Sequence, residues 1–333
     1  MSEAPTIAHP RGVFRLEGAQ EPEQAFLAAL ERGRLHHAWL LVGPEGVGKA
    51  TFAYRAARRL LGARPDPGYG LLGSAPEDPV SRQVAARAHP DLLVLEREEE
   101  GRARKSIPVD EARALPAFFA KSPGQAAFRV AIIDAADDLN VNAANAVLKT
   151  LEEPPERGVL FLISHAPGAL LPTLRSRCRR LAFKAPLAET SAPWLAAQTG
   201  LPAEAVLNLL KLARGGPGRA LRLAAAGALE VDETARALVA GLPSVDEAAA
   251  VSLADRFRGP EGQARFALLM DRLAAALHQR TMAAVEGGRG ALDPWAEAWE
   301  TLSALPGEVE ALNLDRGDAF FTALRGLKAL GPL

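Results

Sequence analysis

The chain has 333 residues, 48% of them hydrophobic and 24% charged. That is the composition of a folded chain, not a disordered one, and the length predicts two or three domains. Thirty-nine Lys and Arg oppose forty Asp and Glu, a formal net charge of −1, whereas a protein that grips nucleic acid by itself carries a marked basic excess. Any such role must rest on a local patch or on partners. The lone cysteine, Cys178, excludes an intrachain disulfide and a Cys-rich zinc site. No apolar stretch approaches the roughly 18 residues that span a bilayer, and the N-terminal MSEAPTIAHPRG lacks a signal-peptide core. A soluble, cytoplasmic protein with no membrane partner is expected.

Up to residue 185, short apolar runs alternate with helical patterns. The runs at 38–42, 92–96, 128–134, 159–164 and 181–184 have strand length and little alternation, as in strands covered on both faces. Helices are expected over 51–61, 110–121 and 142–153, and this succession predicts an α/β domain with a parallel five-stranded sheet. Residues 62–90, rich in Gly and Pro, read as a long loop. The mixed charges of 96–105 read as an exposed turn.

Beyond Pro186, Leu, Ala, Glu and Arg dominate and Gly/Pro punctuation recurs, which predicts consecutive amphipathic helices. Breaks are expected at 199–202, 214–218, 241–244, 259–262, 286–290 and 305–307. The division that follows is an α/β domain over 1–186, a small helical domain over 187–228 and a larger helical domain over 229–333.

The sharpest motif is Gly43-Pro44-Glu45-Gly46-Val47-Gly48-Lys49-Ala50-Thr51, set between an expected strand and an expected helix. This is the P-loop pattern: Gly43, Gly46 and Gly48 let backbone N–H groups curl around phosphates, and Lys49 reaches them. One position departs from it. The hydroxyl that should follow the lysine and meet magnesium is replaced by Ala50, and Thr51 lies one step, about 100°, further round the helix.

Residues 130–134 (VAIID) form a Walker B pattern in which Asp134 would hold magnesium through water. The glutamate that usually follows in hydrolysing proteins is here Ala135. A buried strand ending in a capping Asp would read the same way. Residues 140–155 read as a helix capped by Asn140 or Asn142, with Ala146, Val147, Leu148 and Leu151 on its apolar face, stopped by Pro154-Pro155.

Four arginines, Arg175, Arg177, Arg179 and Arg180, crowd the turn before the last strand. They form either a solvated basic turn or, through Arg177, a reach toward a phosphate on a neighbouring subunit. Cys178 between them reads as a packed residue. Gly215-Gly216-Pro217-Gly218 opens a helix with Arg219 in its first turn, where a cation is unfavourable unless an acid lies nearby. The six histidines do not cluster at metal-ligand spacing.

Taken in order, GPEGVGKAT, VAIIDAADDLNVNAANAVLKTLEEPP and the LRSRC turn resemble the AAA+ clamp-loader subunits of bacterial DNA polymerase III, over residues 10–185. The likeness is to the delta-prime type rather than the gamma/tau motor, since Ala50 and Ala135 stand where the motor keeps its hydrolytic groups. The resemblance implies a P-loop AAA+ domain, a helical lid and a helical collar that assembles the complex. It implies that Arg177 is an arginine finger acting in trans. It further implies a nucleotide site of Gly43, Gly46, Gly48, Lys49, Thr51, Asp134 and Arg219, vestigial or able to take ATP, with magnesium only alongside nucleotide. A first sensor falls near Ser164–His165.

The implied partners are gamma/tau and delta subunits, with the sliding clamp and primed DNA reached through the assembly. Efficient ATPase activity by the chain alone is not expected; catalysis belongs to the holoenzyme. Family members often hold zinc between the first helix and second strand, but residues 62–90 contain no cysteine, so no zinc is expected. Two alternatives stay open: a motor in which Thr51 and Asp137 compensate, and an unrelated P-loop switch or kinase.

Overall fold

Four apolar runs and a more polar edge segment form one parallel sheet: β1 (Ala38–Val42), β2 (Leu92–Glu96), β3 (Arg129–Asp134), β4 (Gly158–Ser164) and β5 (Arg179–Ala182). The computed structural model describes residues 7–99, 102–103, 106–259, 261–286 and 293–330. The strand order is β2-β3-β4-β1-β5, every neighbour parallel. The pleat sends alternate side chains to opposite faces. Trp39, Leu41, Val130, Ile132, Phe161 and Ile163 enter one core; Leu40, Val42, Ala131, Ile133, Leu160 and Leu162 enter the other.

The first core is closed by α1 (Gln20–Glu31) and α2 (Lys49–Leu60). After α3 (Pro79–Ala85), the second is closed by α4 (Val109–Phe119) and α5 (Val141–Glu152), with Leu174 from the short α6 (Pro172–Ser176). Burial on both faces is why these strands read as unbroken apolar runs.

Three expectations for this half are corrected. The last strand lies at 179–182 rather than 181–184: at the sheet's edge only Leu181 is buried, so the strand accommodates an exposed Arg179 on the face of Leu181 and an exposed Arg180 on the opposite face. The Arg179 guanidinium sits 4.9 Å from the centre of the Trp39 ring, which fixes the register Trp39 to Arg179. Residues 62–90 are not simply a loop, because they hold α3, capped by Asp78, whose side chain accepts from the Val80 and Ser81 N–H groups. Asp-Pro at a helix start was the available signal. The first helix, α1, was not anticipated. Of the charged stretch 96–105, residues 100–101 and 104–105 lie outside the described residues.

Between the two candidate caps of α5, the structure uses Asn140, whose side chain accepts from Ala143 N at 2.9 Å. Asn140→Ala should therefore lower unfolding free energy by about 1 kcal/mol, read from urea denaturation at constant m-value.

The helical region comprises α7 (Ala188–Thr199), α8 (Ala203–Leu212), α9 (Pro217–Ala225), α10 (Ala228–Ala240), α11 (Glu247–Asp255), α12 (Gly262–Glu286), α13 (Asp293–Leu312) and α14 (Arg316–Lys328). The chain folds as two compact units, residues 1–222 and 223–333. In the second, the long α12 packs against α10 and α13 around Phe266, Leu273, Leu277, Trp295 and Phe320. The expected break at 305–307 does not occur, since α13 runs through Pro306. Leu302 and Val309, seven residues apart and both buried in that core, hold the helix together against an interior proline's cost of ~3 kcal/mol. The break expected at 286–290 begins where α12 ends, and residues 287–290 lie outside the described residues.

Candidate functional site

The loop that follows β1 turns back at the C-terminal edge of the sheet, where ligands of open α/β sheets bind. Its backbone takes positive φ at Gly46 (76°) and at Gly48 (95°), the latter the N-cap of α2. Glycine is required there for a second reason. A Cβ on Gly46 would collide with the Arg219 backbone nitrogen, and one on Gly48 with Leu16.

Leu16 is carried by an N-terminal segment that two buried arginines of α2 hold down. Arg55 pairs with Glu23 and donates to the Phe14 carbonyl; Arg58 donates to the Arg11 carbonyl with its guanidinium 4.2 Å from the Phe14 ring centre.

Lys49 is buried, and its Nζ donates to the carbonyls of Gly43 (2.7 Å) and Pro44 (2.6 Å). Burial draws its pKa down to about 8 against the opposing pull of Asp134, Asp137 and Glu45. Asp134 closes β3, two strands from β1. Burial and the neighbouring Glu96 push its carboxyl up to about 6, although His9 and Lys49 oppose them.

Asp137 is committed elsewhere. It accepts from Ser164 Oγ at 2.7 Å, His165 N at 2.5 Å and Ala166 N at 3.4 Å, tying the end of β3 to the end of β4. Burial, and then Lys49, lowers the pKa of His165.

The two departures from a hydrolysing site both pack into the fold, Ala50 partly buried and Ala135 buried. Ala50 packs against the first core and Ala135 is 4% exposed. Thr51 is itself buried in the first turn of α2.

The turn before α9 reaches the same loop. Gly218 N–H donates to the Gly46 carbonyl at 2.9 Å, and Arg219 Nε lies 3.8 Å from the Glu45 carboxylate. Glu45 is the acid that a cation at the start of this helix calls for. Reading the sequence did not single out Glu45, Arg222 or Leu16. Arg219 and Arg222 stand three apart on one helix face, but nothing in the sequence joins that spacing to Glu45.

Gly43, Gly46, Gly48, Lys49, Asp134 and Arg219 thus gather at one edge of the sheet. Arg177 does not join them. It follows α6 and immediately precedes the start of β5, so the parallel register puts it at the opposite, N-terminal edge. There its Nη2 lies 3.0 Å from Glu152 Oε1 and its Nη1 donates to the Thr173 carbonyl at 3.0 Å, with about a third of the side chain exposed. Cys178 packs beside the second core, and burial pushes its thiol up to about 12. Among the described residues, no group of three or more His, Cys, Asp or Glu side chains could hold a metal ion. No helix among them is long and apolar enough to cross a membrane.

Strand order β2-β3-β4-β1-β5, a glycine-bent loop after β1 and an aspartate ending β3 define a P-loop α/β domain of the AAA+ type, followed by helices. The family model described as DNA polymerase III, delta subunit, matches residues 18–186, just over half of the chain, and the chain belongs to that family. It is 44% identical over 200 residues to a DNA polymerase III subunit delta' of Pseudomonas aeruginosa, covering 60% of this chain and 59% of that protein. It is 32% identical over 224 residues to the delta' subunit of Escherichia coli, covering 67% of this chain and 65% of that protein. A gamma/tau subunit of Mycobacterium bovis is 33% identical over 177 residues, 53% of this chain and 29% of that protein. The matches span less than two thirds of either delta' relative.

Proposed function

We propose that the chain acts as a delta-prime-type clamp-loader subunit. It lends Arg177 to the ATP site of a neighbouring gamma/tau-type subunit and helps the assembly place the sliding clamp on primed DNA. The observation that carries this reading is the position of Arg177: part-exposed, and at the far edge of the sheet from its own phosphate loop. An arginine so placed serves a nucleotide only if a second subunit brings one to it, which is how fingers in trans operate.

In this reading the AAA+ domain covers 1–186, the lid 187–228 and the collar 229–333, the last assembling with gamma/tau and delta partners in the cytoplasm. Catalysis belongs to the complex.

The chain's own loop suits phosphates. Positive-φ glycines and Lys49 would receive them, Arg219 would meet them from the lid side, and Asp134 would hold the water shell of magnesium. It suits hydrolysis poorly. Ala50 offers magnesium no oxygen, Ala135 offers the attacking water no base, Thr51 is buried, and the Asp137 carboxylate is already engaged by three donors. These facts favour the assembly subunit over an independent motor.

The isolated chain should therefore show no steady ATP turnover above background, yet co-purify with gamma/tau and delta subunits. Motor-like turnover abolished by Lys49→Ala would overturn the reading in favour of the motor. Failure to associate with loader subunits would overturn it in favour of an unrelated P-loop switch.

A further inference from the structure

Glu45, the third residue of the phosphate loop, has no part in the contacts proposed for nucleotide, yet it is the most engaged side chain of the loop after Lys49. Its carboxylate lies 2.5 Å from Arg222 Nη2 and 3.8 Å from Arg219 Nε. Burial pushes its carboxyl up, but Arg222 and Arg219 together pull it below the usual carboxylate range.

The backbone around it is equally tight. Gly218 N–H donates to the Gly46 carbonyl, and a Cβ on Gly216 would collide with the Glu45 carbonyl oxygen. Lys49 is meanwhile satisfied by carbonyls of its own loop. Lys49 and Arg222 thus each donate to an oxygen supplied by this chain, and Arg219 has the same Glu45 carboxylate as an ion-pair neighbour.

We propose that Glu45 is the resident anion of the loop. It occupies Arg222 through a hydrogen bond and Arg219 through charge, so nucleotide enters by exchange with Glu45, and that exchange sets the affinity. This rests on the reading of the loop as a phosphate site. The physical basis is competition: a carboxylate and a phosphate oxygen are alternative acceptors for the same guanidinium donors. The loop's carboxylate also repels an incoming polyphosphate until it moves aside. Because Glu45 sits beside the Gly218 to Gly46 hydrogen bond, the same exchange loosens the turn that begins α9.

The test uses the full chain, ATP as probe, and two readouts: calorimetric titration, and amide exchange at Gly218 without nucleotide. Glu45→Gln should bind ATP about fivefold more tightly than the parent, the upper end of what an exposed ion pair contributes. Its Gly218 amide should exchange about tenfold faster, as expected for a local opening. Glu21→Gln removes one negative charge from an exposed pair with Lys184 and should alter neither readout.

Unchanged or weaker ATP binding by Glu45→Gln overturns the proposal. So does tighter binding with Gly218 exchange unchanged, which is a field effect without exchange of partners. Absence of binding by all three chains at millimolar ATP overturns the phosphate-site reading beneath the proposal, and the exchange with it.

Discussion

Arg177→Ala should leave the chain folded and able to assemble, yet slow ATP turnover at the site it serves by on the order of 10³-fold or more. The two energies at stake are far apart. Within the chain, Arg177 makes a part-exposed pair with Glu152 and one bond to the Thr173 carbonyl, and an exposed pair of this kind contributes no more than about 1 kcal/mol to stability. In a transition state that spreads charge over phosphoryl oxygens, a factor of 10³ corresponds to ~4 kcal/mol. Truncation thus costs the complex much more chemistry than it costs the chain stability.

The measurement is ATP turnover of the reconstituted complex under single-turnover conditions, so that sites served by other subunits do not mask the loss. Arg177→Lys provides the control. It keeps the charge but loses the planar fork that matches phosphate oxygens, and should recover only a small part of the rate. Full turnover in an intact Arg177→Ala complex would remove the residue from the mechanism.

Asp91→Ala should destabilise the chain by about 3–5 kcal/mol, the range for removing one partner from a buried charged network. Asp91 is wholly buried just before β2. Its carboxylate accepts from the N–H groups of Gly124 (2.7 Å), Gln125 (2.8 Å) and Ala126 (3.1 Å), and lies 3.5 Å from the Arg129 guanidinium. Alanine would strand those three donors and leave Arg129 holding only the Ser122 and Phe118 carbonyls.

The same contacts give the effect a pH dependence. Burial pushes the Asp91 carboxyl up, while the three N–H groups and Arg129 pull it below its ordinary value. A folded-state pKa below the unfolded one means that the stabilisation is complete above the unfolded value, near 4, and is lost as pH falls through the folded value. Urea denaturation at pH 7 should show the full loss for Asp91→Ala. The gap between parent and variant should narrow in acid; a gap independent of pH would show that the ionised form is not what the network uses.

The phosphate loop and four of the five strands were legible because the information is local. Gly46 and Gly48 are dictated by backbone conformation within a few residues, and a strand covered on both faces must be apolar along its length. The edge strand was misplaced because only Leu181 of its four residues is buried, and exposed Arg179 and Arg180, one on each face, hide the apolar signal.

Contacts between distant segments left no trace in the pattern. Glu45 and Arg222 are 177 positions apart, and Asp91 meets its backbone donors 33 to 35 positions later. Nothing in either neighbourhood announces the other. Pro306 misled for the converse reason: a strong local signal for a break was outweighed by the burial of Leu302 and Val309. For Arg177 the residues themselves left a solvated basic turn and a reach toward a neighbour's phosphate both open, and family likeness was what favoured the second; for Arg219 likeness alone suggested a place at the nucleotide.

The sheet has two free margins, and both are guarded by arginine. β5 is only four residues long and carries exposed Arg179 and Arg180, one on each face. On β2 the Arg87 guanidinium donates to the Val94 carbonyl and pairs with Glu96. An unprotected margin invites another strand to add itself, the usual start of sheet-driven aggregation. Arg179 and Arg180 at one margin and Arg87 at the other are the charged side chains that disfavour such strand addition. Charge-reducing changes along these margins should cost solubility, read from the oligomeric state of each variant.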